Sequence, residues 1–170
     1  MSWPDRSPRR FFLAALAGGA LAGCGFQPLY APGGGAHALR GAVALDLPGT
    51  RLGFETGEAL EARLGMAGPD APLTLAVVPR IAPEALELTA STTISRIRLE
   101  GSASYALRRP AEETPLLEGV VSASTAYSAT ASTLGTRAAE RDARARLAHL
   151  LAERIADRLE LAAASGTLVP

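Results

Sequence analysis

Residues 94–108 read Ile-Ser-Arg-Ile-Arg-Leu-Glu-Gly-Ser-Ala-Ser-Tyr-Ala-Leu-Arg, and their alternation decides the fold class. Ile97, Leu99, Ala103, Tyr105 and Leu107 fall on one parity, whereas Arg96, Arg98, Glu100, Ser102, Ser104 and Arg108 fall on the other. A period of two with one apolar and one polar side describes an antiparallel strand, packed on one face and wet on the other. Arg109-Pro110 through Pro115 then makes a loop. Leu116–Tyr127 returns as another strand, with Leu117, Val121 and Tyr127 on one parity.

Working outward, a strand is predicted from Pro72 to about Thr89, with Leu73, Leu75 and Val77 sharing a face opposite Thr74 and Ala76. Pro79 and Pro83 cannot donate ladder hydrogen bonds, so this stretch should be an edge or bulged segment. Ala90–Thr93 reads as a turn, and a first strand lies within Leu39–Leu47, stopped by Pro48-Gly49. A short helix is predicted over Thr50–Leu64, with Leu60 and Leu64 at helical spacing and Gly65 as its stop. Gly53 and Gly57 count against that helix on propensity alone. The chain closes with a long amphipathic helix over Thr136–Ala163, striped by Leu147, Leu150, Leu151, Ile155 and Leu159 and ended by Ser165-Gly166. Glu140–Arg144 and Asp142–Arg146 are spaced to form favourable i,i+4 pairs along it. The expected architecture is α+β: a four-stranded, mostly antiparallel or mixed sheet with two helices on one face, in the order β-α-β-β-β-α.

The composition narrows the function. The chain has 170 residues, 48% of them apolar and 20% charged, enough to bury a single core and too ordered in character for a disordered chain. One Cys excludes an internal disulfide and any multi-Cys metal site. Every basic residue is Arg, which excludes Schiff-base lysines and a P-loop lysine. His37 and His149 belong to no metal-ligand spacing and read as ordinary polar residues. No G-x-S-x-G, H-E-x-x-H or phosphate-binding glycine motif is present, and the carboxylates are scattered over wet faces. An anchored hydrolase would need a Ser, His and Asp constellation that this pattern does not supply. No catalytic residue, metal or cofactor is expected.

The first residues read as an address. Arg6, Arg9 and Arg10 against Asp5 make a basic start, and an apolar stretch from Phe11 to Ala22 follows, broken only by Gly18 and Gly19. That length suits a secretory signal rather than a spanning helix. It ends in Leu21-Ala22-Gly23-Cys24, which resembles the bacterial lipobox. The resemblance implies cleavage after Gly23, a diacylglyceryl group on the Cys24 thiol and acylation of the new amine. Gly25 rather than Asp after the Cys fits delivery to the outer membrane. Arg9-Arg10-Phe11-Phe12-Leu13 also resembles a twin-arginine signal, although Pro8 and Ala14 depart from its usual pattern, and paired arginines are common in ordinary signals too. The expected organisation is a signal peptide over 1–23, a lipidated terminus and Gly/Pro-rich tether over 24–38, a domain over 39–165 and a tail over 166–170. Removing Arg6, Arg9, Arg10 and Asp5 from the balance of 17 basic and 17 acidic residues leaves 14 Arg against 16 acids. A mildly acidic domain must grip an anion through local arginine placement rather than bulk charge. Arg96 and Arg98 point the same way and are suited to phosphates or carboxylates; equally, they suit a solvated face with cross-strand partners such as Glu118.

Gly23-Cys24-Gly25-Phe26-Gln27-Pro28-Leu29-Tyr30 resembles the opening of the LPS-assembly lipoproteins, the LptE family, in its alphaproteobacterial branch. The similarity continues through Arg96–Leu99, Ala103–Leu107, Gly119–Tyr127, Ala139–Ala143 and Ile155–Leu159. It implies two helices on a four-stranded sheet and an outer-membrane lipoprotein facing the periplasm. It further implies a plug that assists assembly of the LptD barrel, binds lipopolysaccharide and helps deliver it to the outer leaflet. In such a role cationic side chains would meet lipid A phosphates and loosen their bridging by divalent cations; Arg96 and Arg98 are the candidates by their placement, no ligand-binding position of the family being carried over. The competing expectation is a generic periplasm-facing lipoprotein, such as an auxiliary component of a lipid-transport system, without a barrel partner.

Overall fold

A computed structural model describes residues 34–82, 85–87, 95–129 and 132–168. In chain order the elements are α1 (Gly35–Ala38), β1 (Val43–Asp46), α2 (Arg51–Leu64) and β2 (Leu73–Ile81). They are followed by β3 (Ala85–Glu87), β4 (Ser95–Arg108), β5 (Leu117–Ala129) and α3 (Thr133–Ala164). The expected α+β order is present, with α1 as an additional short helix.

The sheet is four strands wide and mixed. β1 pairs with β2 in parallel, β2 and then β3 run antiparallel along one side of β4, and β5 runs antiparallel along the other. β2 and β3 are successive pieces of the single strand predicted over 72–89. β2 stays in register with β4 up to Ile81 opposite Gly101, and β3 pairs with it again from Ala85 opposite Arg98. Pro79 is tolerated for a reason visible in the register. β1 ends at Asp46, opposite Ala76, so among the described residues no strand lies on the outer side of Pro79 to miss its absent N–H. Pro83 and the turn expected at 90–93 lie outside the described residues.

The β4 alternation places Ile97, Leu99, Ala103, Tyr105 and Leu107 in the core, with Arg96, Arg98, Glu100, Ser104 and Arg108 exposed. Against them α3 lays Ala143, Leu147, Leu151, Ile155 and Leu159, all fully buried. Each large apolar side chain on this stripe contributes about 1.5–3 kcal/mol by leaving water. The predicted pairs Glu140–Arg144 (2.7 Å) and Asp142–Arg146 both form on its outer side. Helix α3 starts three residues before the apolar pattern because Ser132 Oγ accepts the Gly135 N–H at 3.2 Å, capping orphan donors upstream.

Thr50 performs the same service for α2, its Oγ1 accepting the Gly53 N–H at 3.1 Å, and Gly65 closes the helix with φ of 81°. The glycines that argue against α2 on propensity have a packing role. A Cβ at Gly53 would stand 2.2 Å from the Pro48 carbonyl oxygen, an overlap that only backbone movement could relieve. Close approach of the β1–α2 loop to the helix outweighs the roughly 1 kcal/mol propensity cost of glycine.

The Gly-rich stretch read as tether is docked at its end. Ala36 and Leu39 are buried, and Gly35 lies so close to the end of α3 that a Cβ there would meet the Ala163 carbonyl oxygen at 2.2 Å. Leu168, in the segment read as a tail, also joins the core. The packed fold thus begins and ends at one pole, beside the C-terminal end of α3.

Candidate functional site

Arg96 and Arg98 lie near the start of β4, on the sheet face that carries no helix. Across the ladder Arg96 stands opposite Ser128 and Arg98 opposite Ala126. Both guanidinium-bearing residues are exposed, and with Ser124, Thr125 and Ala126 they line one shallow depression. Strand alternation explains the juxtaposition: residues two apart on one strand project from the same face about 7 Å apart. Two planar, permanently charged forks at that spacing, over hydroxyl-bearing neighbours, can hold a pair of phosphate or carboxylate groups without burying charge.

The cross-strand partner suggested by sequence is elsewhere. Glu118 stands opposite Ala106, eight residues along β4 from Arg98 and so roughly 27 Å away. On the other side of β4, Glu87 of β3 stands directly opposite Arg96 across the ladder, and Glu100, two residues on from Arg98, pairs across to Ser124. His37 is exposed on α1, and His149 stands 3.6 Å from Glu153 on the outer side of α3. The structure brings neither toward the arginine pair. Cys24 lies outside the described residues. Among those described, no cluster of His, Cys, Asp or Glu could hold a metal ion, and no helix is long and apolar enough to cross a membrane.

Sequence reasoning missed a charged tie between the helices. Arg63, in the last turn of α2, holds Glu160 of α3 with both prongs, at 3.0 and 2.9 Å, and reaches Asp157 at 3.0 Å. Glu160 is 2% exposed, so its carboxylate depends on this fork for its charge balance. The available signal was an alanine seam: Ala152, Ala156 and Ala163 are buried beside the leucine stripe, and Glu160 falls four residues after Ala156. Small residues there let α2 approach α3 closely enough for the pair to close.

The open sheet face, the arginine pair and the two-helix layer define a class of protein: a two-layer α+β module with one polar, helix-free β-surface. The sequence profile of the LptE family, described as lipopolysaccharide-assembly, matches residues 41–159. The chain belongs to that family. Its fold is also that of a candidate lipoprotein of Caulobacter crescentus, with a TM-score of 0.64 at 18% identity, over 79% of this chain and 99% of that one. A minor lipoprotein of Acinetobacter baumannii aligns at 0.49 with 12% identity, over 70% and 91% of the two chains. The rare lipoprotein B of Shewanella oneidensis aligns at 0.33 with 14% identity, over 74% and 93%. No curated protein matches the chain by sequence.

Proposed function

We propose that this family member is a non-catalytic outer-membrane lipoprotein of the lipopolysaccharide translocon, anchored through Cys24, seated in an LptD-type barrel and binding lipopolysaccharide through Arg96 and Arg98. One observation carries the reading: the arginine pair and the point of chain entry occupy opposite poles of an elongated domain. Gly35 packs at Ala163, whereas Arg98 stands beside Ala126, whose carbonyl oxygen accepts from Arg146 of α3. The helical rise between residues 146 and 163 is about 25 Å, and the offset reaches about 30 Å at Arg96. That is close to the roughly 30 Å of a bilayer's hydrocarbon core. A domain anchored near one leaflet and enclosed by a barrel would thus present its arginines near the other. Lipid A carries phosphates on a disaccharide, and two guanidinium forks beside the hydroxyls of Ser124 and Ser128 suit that headgroup.

The test is Arg96→Ala/Arg98→Ala, measured as equilibrium binding of the detergent-solubilised lipoprotein to lipopolysaccharide. Loss of two charge-assisted contacts of about 1.5 kcal/mol each should weaken binding by roughly two orders of magnitude, with an unchanged circular dichroism spectrum. Equal binding by the folded double variant would show that the arginines only solvate the sheet.

A further inference from the structure

Among the described residues the sheet ends at β5 on one side and at β1, with the outer sides of β2 and β3, on the other. Ala82 N–H donates to the Glu100 carbonyl at 2.8 Å, so the even-numbered residues of β4 bond toward β2. In an antiparallel ladder its odd-numbered residues then bond toward β5, which leaves the backbone groups of Ser122, Ser124 and Ala126 facing outward. Such a row is a template for another strand. Past Glu118 near its start, β5 offers no deterrent of its own, because Gly119–Ala129 contains neither a charge nor a proline. Val120, on this strand, is 71% exposed.

Two arginines of α3 occupy the outward carbonyls. Arg146 Nη2 donates to the Ala126 oxygen at 3.3 Å, and Arg154 Nη1 donates to the Ser122 oxygen. The spacing follows from the two periods. Eight helical residues rise about 12 Å and four strand residues about 13 Å, so the antiparallel helix and strand stay in step over this distance. Leu150, midway between the arginines, packs against the core instead. Thr125 Oγ1, donating to the Ala143 carbonyl at 3.0 Å, fixes the same register independently.

We propose that Arg146 and Arg154 guard the β5 edge, and that without them this edge becomes the surface on which a second copy of the chain pairs through its own β5. The occupant is a second copy because the identical stretch Gly119–Ala129 offers complementary backbone groups and small side chains, with no charge in it to repel its counterpart.

The experiment compares self-association of the full-length lipoprotein in mild detergent by sedimentation equilibrium, with helix content followed by circular dichroism. Arg146→Ala/Arg154→Ala should self-associate with a dissociation constant lower by about tenfold or more. Adding Ser122→Pro should restore wild-type behaviour, since it removes an outward N–H that β4 does not use. Arg137→Ala/Arg141→Ala removes the same charge from α3 without touching the edge and should leave association unchanged. Should the double variant lose helix content, the single variants Arg146→Ala and Arg154→Ala are read in the same way, each giving a smaller increase. Wild-type association by folded edge variants would overturn the proposal, as would equal association in the control pair or failure of Ser122→Pro to reverse it.

Discussion

Arg63→Ala should lower the stability of the domain by about 3 kcal/mol, the low end of the range for removing one partner of a buried ion pair. The reason is asymmetry. Arg63 itself is partly exposed, with 36% of its side chain accessible, and gives up little on truncation. Glu160 has 3% of its side chain accessible and would be left with a carboxylate that has lost both prongs of its fork. Asp157, 57% exposed, would simply return to water. For a domain of this size the loss corresponds to a fall in Tm of about 10 °C. Replacing both partners together, as Arg63→Met/Glu160→Leu, should recover much of that loss because no buried charge remains. Thermal unfolding of the three proteins by circular dichroism reads both effects. A single variant melting within about 2 °C of wild type would show that the fork contributes nothing net.

The second large effect concerns the anchor. Cys24→Ala should abolish acyl labelling and shift the protein out of the membrane fraction, or trap it as an uncleaved precursor. Each acyl methylene contributes about 0.8 kcal/mol of membrane affinity, and a single chain binds only reversibly. Two or three chains on one residue therefore account for stable attachment, and removing the thiol removes the diacylglyceryl group entirely. Among the described residues no helix could take over as an anchor. Metabolic labelling with a palmitate analogue, followed by fractionation, measures both consequences. Unchanged labelling of the variant would sink the lipobox reading.

How much of this was legible in the sequence follows from which interactions are local. The β4 parity was plain because a two-residue period needs no knowledge of the partner, and Ile97 through Leu107 are buried as the alternation requires. The open outer side of β2 at Pro79 was legible for the same reason: the missing donor belongs to the residue itself. What could not be read was contact across sequence distance. Arg63 and Glu160 lie 97 residues apart, and nothing near Arg63 marks it as the partner of a buried acid. Gly53 illustrates the converse error, since local propensity counts it against a helix that its contact with Pro48 requires. The short α1 was hidden similarly. Gly33-Gly34-Gly35 has linker composition, and only the neighbouring end of α3 turns its last glycine into a packing residue. As for the arginine pair, sequence supplied its shared face, whereas the register removed Glu118 as its neutralising partner.

The central claim is that this chain works as a barrel-seated subunit of lipopolysaccharide export. It is tested most directly by purifying the intact, affinity-tagged lipoprotein from its own envelope in mild detergent and identifying what accompanies it. The account predicts a stoichiometric outer-membrane β-barrel of the lipopolysaccharide-export type, retained through size-exclusion chromatography. Recovery of the lipidated, folded protein without that barrel, or with an inner-membrane lipid transporter in its place, would contradict it.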